Sequence, residues 1–240
     1  MITRLKTVLV FLCLLTVLAF NMSTGYAQEA DRLAALTRQI EANPSSATLY
    51  FLRGHEFSQR DQHDLAVMDY TQAIELNPNM AFLYYYRAYS YSELQKYDLA
   101  LQDCSKAIEL APTNADYYSE RAYAEWKLNN FSEAVHDYSK AIELQPNTAH
   151  YYNGRGNAYA NLGKYKEAVK DFDKALALNP KEGMAYFNLA QAYELLGDKE
   201  LSLQNYLEAA KFDVPVVSAV DKAKIKARVS GDWDNFKDWI

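Results

Sequence analysis

The chain has 240 residues, half of them hydrophobic and 23% charged, with a net charge of −6 at neutral pH. An acidic balance argues against a broad nucleic-acid surface, which needs clustered Lys and Arg to neutralise phosphates. Glycine (8) and proline (6) are scarce, whereas 20 tyrosines are an unusual load that calls for a structural or binding role.

In chain order, residues 1–27 come first and are set aside from the fold. Arg4 and Lys6 form a short basic region, Val8 to Phe20 is apolar except for Thr16, and Gly25-Tyr26-Ala27 gives a small-x-small end. This is the layout of a secretory signal peptide cleaved after Ala27. The apolar run is short of the ~20 residues that span a bilayer, so membrane attachment is expected only if the segment is retained. Without it, 23 basic side chains face 31 acidic ones, for a net charge of −8. Cys104 is then the remaining cysteine, and the expected destination is periplasmic or secreted. Residues 28–46 are predicted to form one N-terminal capping helix, with Leu33, Leu36 and Ile40 on one face and Pro44 as its stop.

Prolines then recur at Pro44, Pro78, Pro112, Pro146 and Pro180, always 34 residues apart. A fixed period of this length marks stacked helical hairpins. With each proline at position 32, five units run 47–80, 81–114, 115–148, 149–182 and 183–216. Position 4 is Tyr50, Tyr84, Tyr118, Tyr152 and Tyr186. Position 8 is small throughout, position 27 is always alanine, and position 24 is Tyr70, Cys104, Tyr138, Phe172 and Tyr206. These columns resemble the tetratricopeptide repeat (TPR) family. The resemblance implies an all-α, right-handed superhelix (an α-solenoid) of five helix-turn-helix repeats with capping helices at both ends.

Each column has a physical reason. Small residues at 8 and 20 let the two helices of a hairpin approach, and alanine at 27 does so toward the next hairpin. Aromatics at 4 and 24 fill the spaces beside those contacts. Proline lacks an N–H and disfavours a helical residue before it, so the second helix ends there. A unit this small cannot bury its apolar face alone and depends on its neighbours.

Position 7, usually leucine in the family, is Arg53, Arg87, Arg121 and Arg155, while position 23 is Asp69, Asp103, Asp137 and Asp171. In the fifth unit both change together, to Leu189 and Asn205. The joint loss predicts a structural ion pair between the two helices of each of the first four hairpins, in preference to an acidic-ligand site.

Residues 217–240 are expected to give a C-terminal capping helix and an aromatic tail in which Trp233, Phe236 and Ile240 fall at helical spacing. That tail either folds back on the last helix or docks into a second copy.

The residues that would carry chemistry are missing. His55, His63, His136 and His150 lack metalloprotease spacing, and the sequence has no paired-cysteine zinc pattern, P-loop, dinucleotide turn or nucleophile elbow. The expectation is a non-enzymatic protein that needs no cofactor. The resemblance places binding on the first helix of each repeat, at positions 2, 5, 6, 9, 12 and 13. In the first three units these hold Phe51, His55, Phe82, Tyr85, Tyr86, Tyr89, Tyr123 and Trp126. In the last two they hold His150, Asn153, Asn157, Asn188 and Gln191. Aromatics give contact area at low entropic cost and amides pair with a peptide backbone, so the expected partner is a polypeptide segment. Tyr89 and Tyr123 are the leading contact candidates. Asn157 and Asn188 match two positions of the family's carboxylate clamp for cytosolic chaperones. Asn153 and Ser218 stand where that clamp needs lysine, so the chaperone reading is rejected. The alternative to an adaptor is a self-assembling homo-oligomer whose groove holds a terminal segment of another copy.

Overall fold

A computed structural model describes residues 32–212. The expected signal segment, the C-terminal cap and the aromatic tail lie outside the described residues. Among the described residues there are eleven α-helices and no strand. The leading helix, α1, covers 32–42. Ten helices follow in chain order, two to each repeat: α2 (Ala47–Ser58) and α3 (His63–Leu76), α4 (Ala81–Glu93) and α5 (Tyr97–Leu110), α6 (Ala115–Lys127) and α7 (Phe131–Leu144), α8 (Ala149–Asn161) and α9 (Tyr165–Leu178), and α10 (Gly183–Leu196) and α11 (Lys199–Ala209). The chain divides into two compact units, residues 1–90 and 91–240, and the division falls within α4.

The same local chemistry makes each repeat. Its first helix ends on a left-handed residue at position 15, namely Asp61, Gln95, Asn129, Gly163 and Gly197, with φ between 56° and 84°. A six-residue backbone hydrogen bond closes the turn each time, as from Lys96 N–H to the Tyr91 carbonyl at 2.8 Å and from Asn130 N–H to the Glu125 carbonyl at 2.9 Å. Glutamine is the least suited of the five, because its Cβ crowds the carbonyl in the left-handed region. Gln95→Gly is expected to stabilise the fold by about 0.5–1 kcal/mol, read as a higher denaturant midpoint. A lower midpoint would contradict the turn assignment.

The second helices α3, α5, α7 and α9 stop two residues before proline. Their C-caps, Asn77, Ala111, Gln145 and Asn179, turn extended at ψ 81° to 89°. This is the backbone that a following proline ring requires.

Within the first unit, Leu36 and Ile40 of α1 are buried, and Arg32, one turn before Leu36 on the same side, reaches Glu56 of α2 at 2.9 Å. Ala73, Ile74 and Leu83 form the apolar centre, flanked by Tyr50, Phe51 and Tyr84. Within the second unit, Ala115, Tyr118, Ala122, Ala134, Tyr138, Ala141, Tyr151 and Ala158 form one cluster. Ala168, Phe172, Leu189 and Ala192 form another. Position 8 sits directly on the position-24 ring. A Cβ on Gly54 would come within 2.9 Å of Tyr70, and one on Gly156 within 2.6 Å of Phe172. Cys104 occupies the same column, fully buried, and burial pushes its thiol well above the ordinary range. It is a packing residue, not a nucleophile.

The tyrosines at position 4 do more than fill space. Tyr84, Tyr118 and Tyr152 donate their hydroxyls to the carbonyls of Pro78, Pro112 and Pro146 at 3.0 to 3.1 Å, anchoring the start of one repeat to the end of the previous one.

Candidate functional site: an arginine-clasped frame and two groove pockets

Arginine at position 7 builds the frame. Arg53, Arg121 and Arg155 each donate through Nε and Nη2 to both carboxylate oxygens of Asp69, Asp137 and Asp171, at 2.6 to 3.0 Å. Arg87 and Asp103, the fourth predicted pair, fall on either side of the division between the units. Every one of the four guanidinium groups also turns Nη1 toward a hydroxyl on the second helix of the preceding repeat or on α1. The acceptors are Thr37, Thr71, Ser105 and Ser139, at 3.1 to 3.3 Å. Each guanidinium further lies 5.8 Å from the ring of its own repeat's position-4 tyrosine. Arg53, Arg121 and Arg155 therefore each link three helices and stack on a fourth group. The planar five-donor fork of arginine suits this role, and lysine could not reproduce it.

The hydroxyl was missed in the sequence, although its signal is there. Position 25 is Thr71, Ser105 and Ser139, and becomes Asp173 in the repeat just before Leu189 replaces arginine. Leu189 is instead buried in the apolar cluster, and Asn205 turns its amide back to the Leu201 carbonyl at 2.8 Å.

In the first unit the predicted groove residues form an aromatic cluster. Phe51 meets Phe82 at 5.0 Å and Tyr86 at 5.2 Å, both near edge-to-face. Tyr86 in turn meets His55 and Tyr85, each at 5.4 Å. His55, Tyr85, Tyr86 and Tyr89, with Ser58 and Gln59, line a pocket of about 280 Å³.

In the second unit a larger cavity of about 640 Å³ opens along α6, α8 and α10. It gathers five predicted residues, Trp126, Asn153, Asn157, Asn188 and Gln191, and Asn188 Nδ2 donates to Asn153 Oδ1 at 3.2 Å. Asn161, Met184, Glu194 and Leu195 also line it. They occupy the same helical columns, so the column rule would have found them. Glu182 completes the wall from a turn between repeats, where no helical periodicity signals it. Among the described residues no Lys or Arg lines this cavity. Ser218, where the carboxylate clamp needs lysine, lies outside the described residues.

His150 and Tyr123 lie apart from that cavity. His150 is exposed, with its ring 6.3 Å from Tyr151. Tyr123 pairs with Trp126 at 6.4 Å, and Lys127 Nζ covers both rings at 5.3 and 5.2 Å. Burial pushes the Tyr123 phenol up, with Glu93 and Glu120 adding to the rise.

Glu120, at position 6 of α6, is partly buried and accepts a hydrogen bond from the Ser92 hydroxyl at 2.6 Å. Burial raises its carboxyl above the ordinary range, the Ser92 bond opposes that rise, and Glu93 adds to it. A raised folded-state pKa means that the fold favours the neutral acid. The penalty is present above that pKa and is relieved as pH falls through it. Glu120→Gln is therefore expected to stabilise the fold by on the order of 1 kcal/mol near neutral pH and to give no gain in acid. Denaturant midpoints of both proteins across that window check this, and an equal gain at every pH would contradict it.

Among the described residues no group of His, Cys, Asp and Glu is placed to hold a metal ion. What the frame and pockets can do is hold another chain. They define a helical-repeat protein of the interaction class.

The sequence matches the tetratricopeptide repeat family over residues 47–80, 81–114, 119–182 and 154–215. The chain belongs to that family, whose members are protein-interaction modules. No curated protein matches it in sequence. Among solved structures it is similar to YrrB, described as a TPR protein with an unusual peptide-binding site. The identity is 24%, the TM-score 0.60, and the match covers 75% of this chain and 92% of that one. MamA from Desulfovibrio magneticus RS-1 is 17% identical, with a TM-score of 0.64 and coverage of 72% and 97%. A chain of the APC/C hetero-tetramer Cut9–Hcn1 is 17% identical with a TM-score of 0.71, over 83% of this chain and 39% of its own. At these identities the likeness establishes the fold alone.

Proposed function

We propose that this protein is a non-enzymatic adaptor outside the cytoplasm, which holds a polypeptide segment against the first helices of its repeats. The observation that carries this reading is the amide-lined cavity of the second unit. Asn153, Asn157, Asn188 and Gln191 project from successive first helices beside Trp126. Amides can donate to and accept from a peptide backbone, and an adjacent indole supplies the apolar anchor that interfaces favour. YrrB, with the same fold, is described as having a peptide-binding site. The export reading rests on the signal-peptide layout of residues 1–27.

A displayed random-peptide library, selected against the intact chain, supplies the ligand for the test. Asn157→Ala with Asn188→Ala is expected to weaken the selected peptide about tenfold or more while leaving helicity intact. Unchanged affinity would overturn the cavity as the site.

A second reading follows from the tail, where two of the three tryptophans lie within residues 232–240 and Trp233, Phe236 and Ile240 fall at helical spacing. In it the groove takes a terminal segment of another copy. Removing residues 231–240 and measuring mass in solution separates the two, because self-assembly alone would be lost.

A further inference from the structure

We infer that the tyrosine-walled pocket of the first unit is a cation box, which takes one lysine or arginine side chain of the polypeptide partner. The inference rests on the groove reading above and assigns that partner a basic residue.

Three observations carry it. The first is the composition of the walls. His55, Tyr85, Tyr86 and Tyr89 supply the rings and Ser58 and Gln59 the remainder, so among the described residues the lining has no carboxylate, lysine or arginine. The second is the arrangement of the rings. Tyr86 stands at 77° to His55 and at 70° to Tyr85, each at 5.4 Å, so the walls form corners rather than a flat stack. Rings set at corners bound a common volume from more than one side, and a cation is drawn to aromatic faces. The pocket, about 280 Å³, is open and has room for one long side chain, and Tyr89 remains 40% exposed at its rim.

The third is a comparison within the chain. Position 13 of the third repeat is Lys127, whose ammonium lies over the rings of Tyr123 and Trp126 at 5.3 and 5.2 Å. Position 13 of the first repeat is Gln59, which lines the tyrosine box. The first unit thus has ring walls at groove positions where the third repeat brings its own lysine. The chain's net charge of −6 favours a basic partner in the same direction.

Neutral and cationic probes of one shape test the assignment. N-acetyl-arginine methylamide and its citrulline counterpart are titrated into the intact chain to tens of millimolar at pH 8. The ring resonances of Tyr85, Tyr86 and Tyr89 are followed by NMR. The arginine probe is expected to bind about five- to tenfold more tightly than the citrulline probe. Tyr89→Phe keeps the ring and should keep that preference, whereas Tyr89→Leu should abolish it. Equal response to both probes, no response to either, or loss of the preference in Tyr89→Phe overturns the cation box. None of those results touches the amide cavity, which is tested separately by Asn157→Ala with Asn188→Ala.

Discussion

Arg121→Leu is expected to lose about 3–5 kcal/mol of stability, and Arg121→Leu combined with Asp137→Asn distinctly less. Asp137 is the reason. Its side chain is 5% exposed, and both of its oxygens are taken by the guanidinium fork. Removing the arginine strands a nearly buried carboxylate without its charge partner. His136 Nδ1 lies 3.1 Å from one of the oxygens but cannot serve both. Replacing both partners removes the stranded charge, so the two losses should not add. Denaturant unfolding of the two single variants and the double variant measures the coupling. Strictly additive losses would show that the fork is ornamental. The Ser105 hydroxyl, 3.3 Å from Arg121 Nη1, extends the same linkage to the preceding repeat. Arg121→Leu should therefore also lower cooperativity between hairpins, visible as earlier amide exchange in α5.

Phe172→Ala is expected to cost about 3–5 kcal/mol as well, for an apolar reason. The ring is fully buried and lies directly against Gly156. Glycine has no side chain to relax into the vacated space, and Ala168, Leu189 and Ala192 are held around it on two helices, α9 and α10. Gly156→Val alone should also destabilise, since even its Cβ would stand 2.6 Å from the ring. Together the two changes exchange volume across the same contact and should recover part of the loss. Recovery in thermal unfolding is the expected result. A double variant as poor as the sum of its parts would mean that positions 8 and 24 do not share one space.

Much of this was legible in the sequence, because repetition turns one structural rule into five readings. Proline at a 34-residue interval marks where α3, α5, α7 and α9 end. The small residues at position 8 announce a close approach, and the structure shows Tyr70 and Phe172 as the rings that approach Gly54 and Gly156. Other features were hidden by chemistry that composition does not display. Position 15 holds Asp61, Gln95, Asn129, Gly163 and Gly197, and the shared property is a left-handed backbone rather than a residue type. The tyrosines at position 4 look like filler until their hydroxyls are seen on proline carbonyls. Glu182 enters the cavity from a turn, where a helical column rule has no reach. In the groove, the columns named candidates on every repeat. Only three-dimensional packing sorts them into a tyrosine pocket in one unit and an amide cavity in the other.

The account stands on a polypeptide lying against the first helices of the repeats, not on their second helices. A photo-crosslinking residue placed at Gln191, exposed on the cavity's edge, addresses this directly, with Lys170 on α9 as the exposed counterpart on a second helix. With a library-selected peptide bound, covalent capture is predicted from position 191 and not from position 170. Capture from position 170 alone would contradict it.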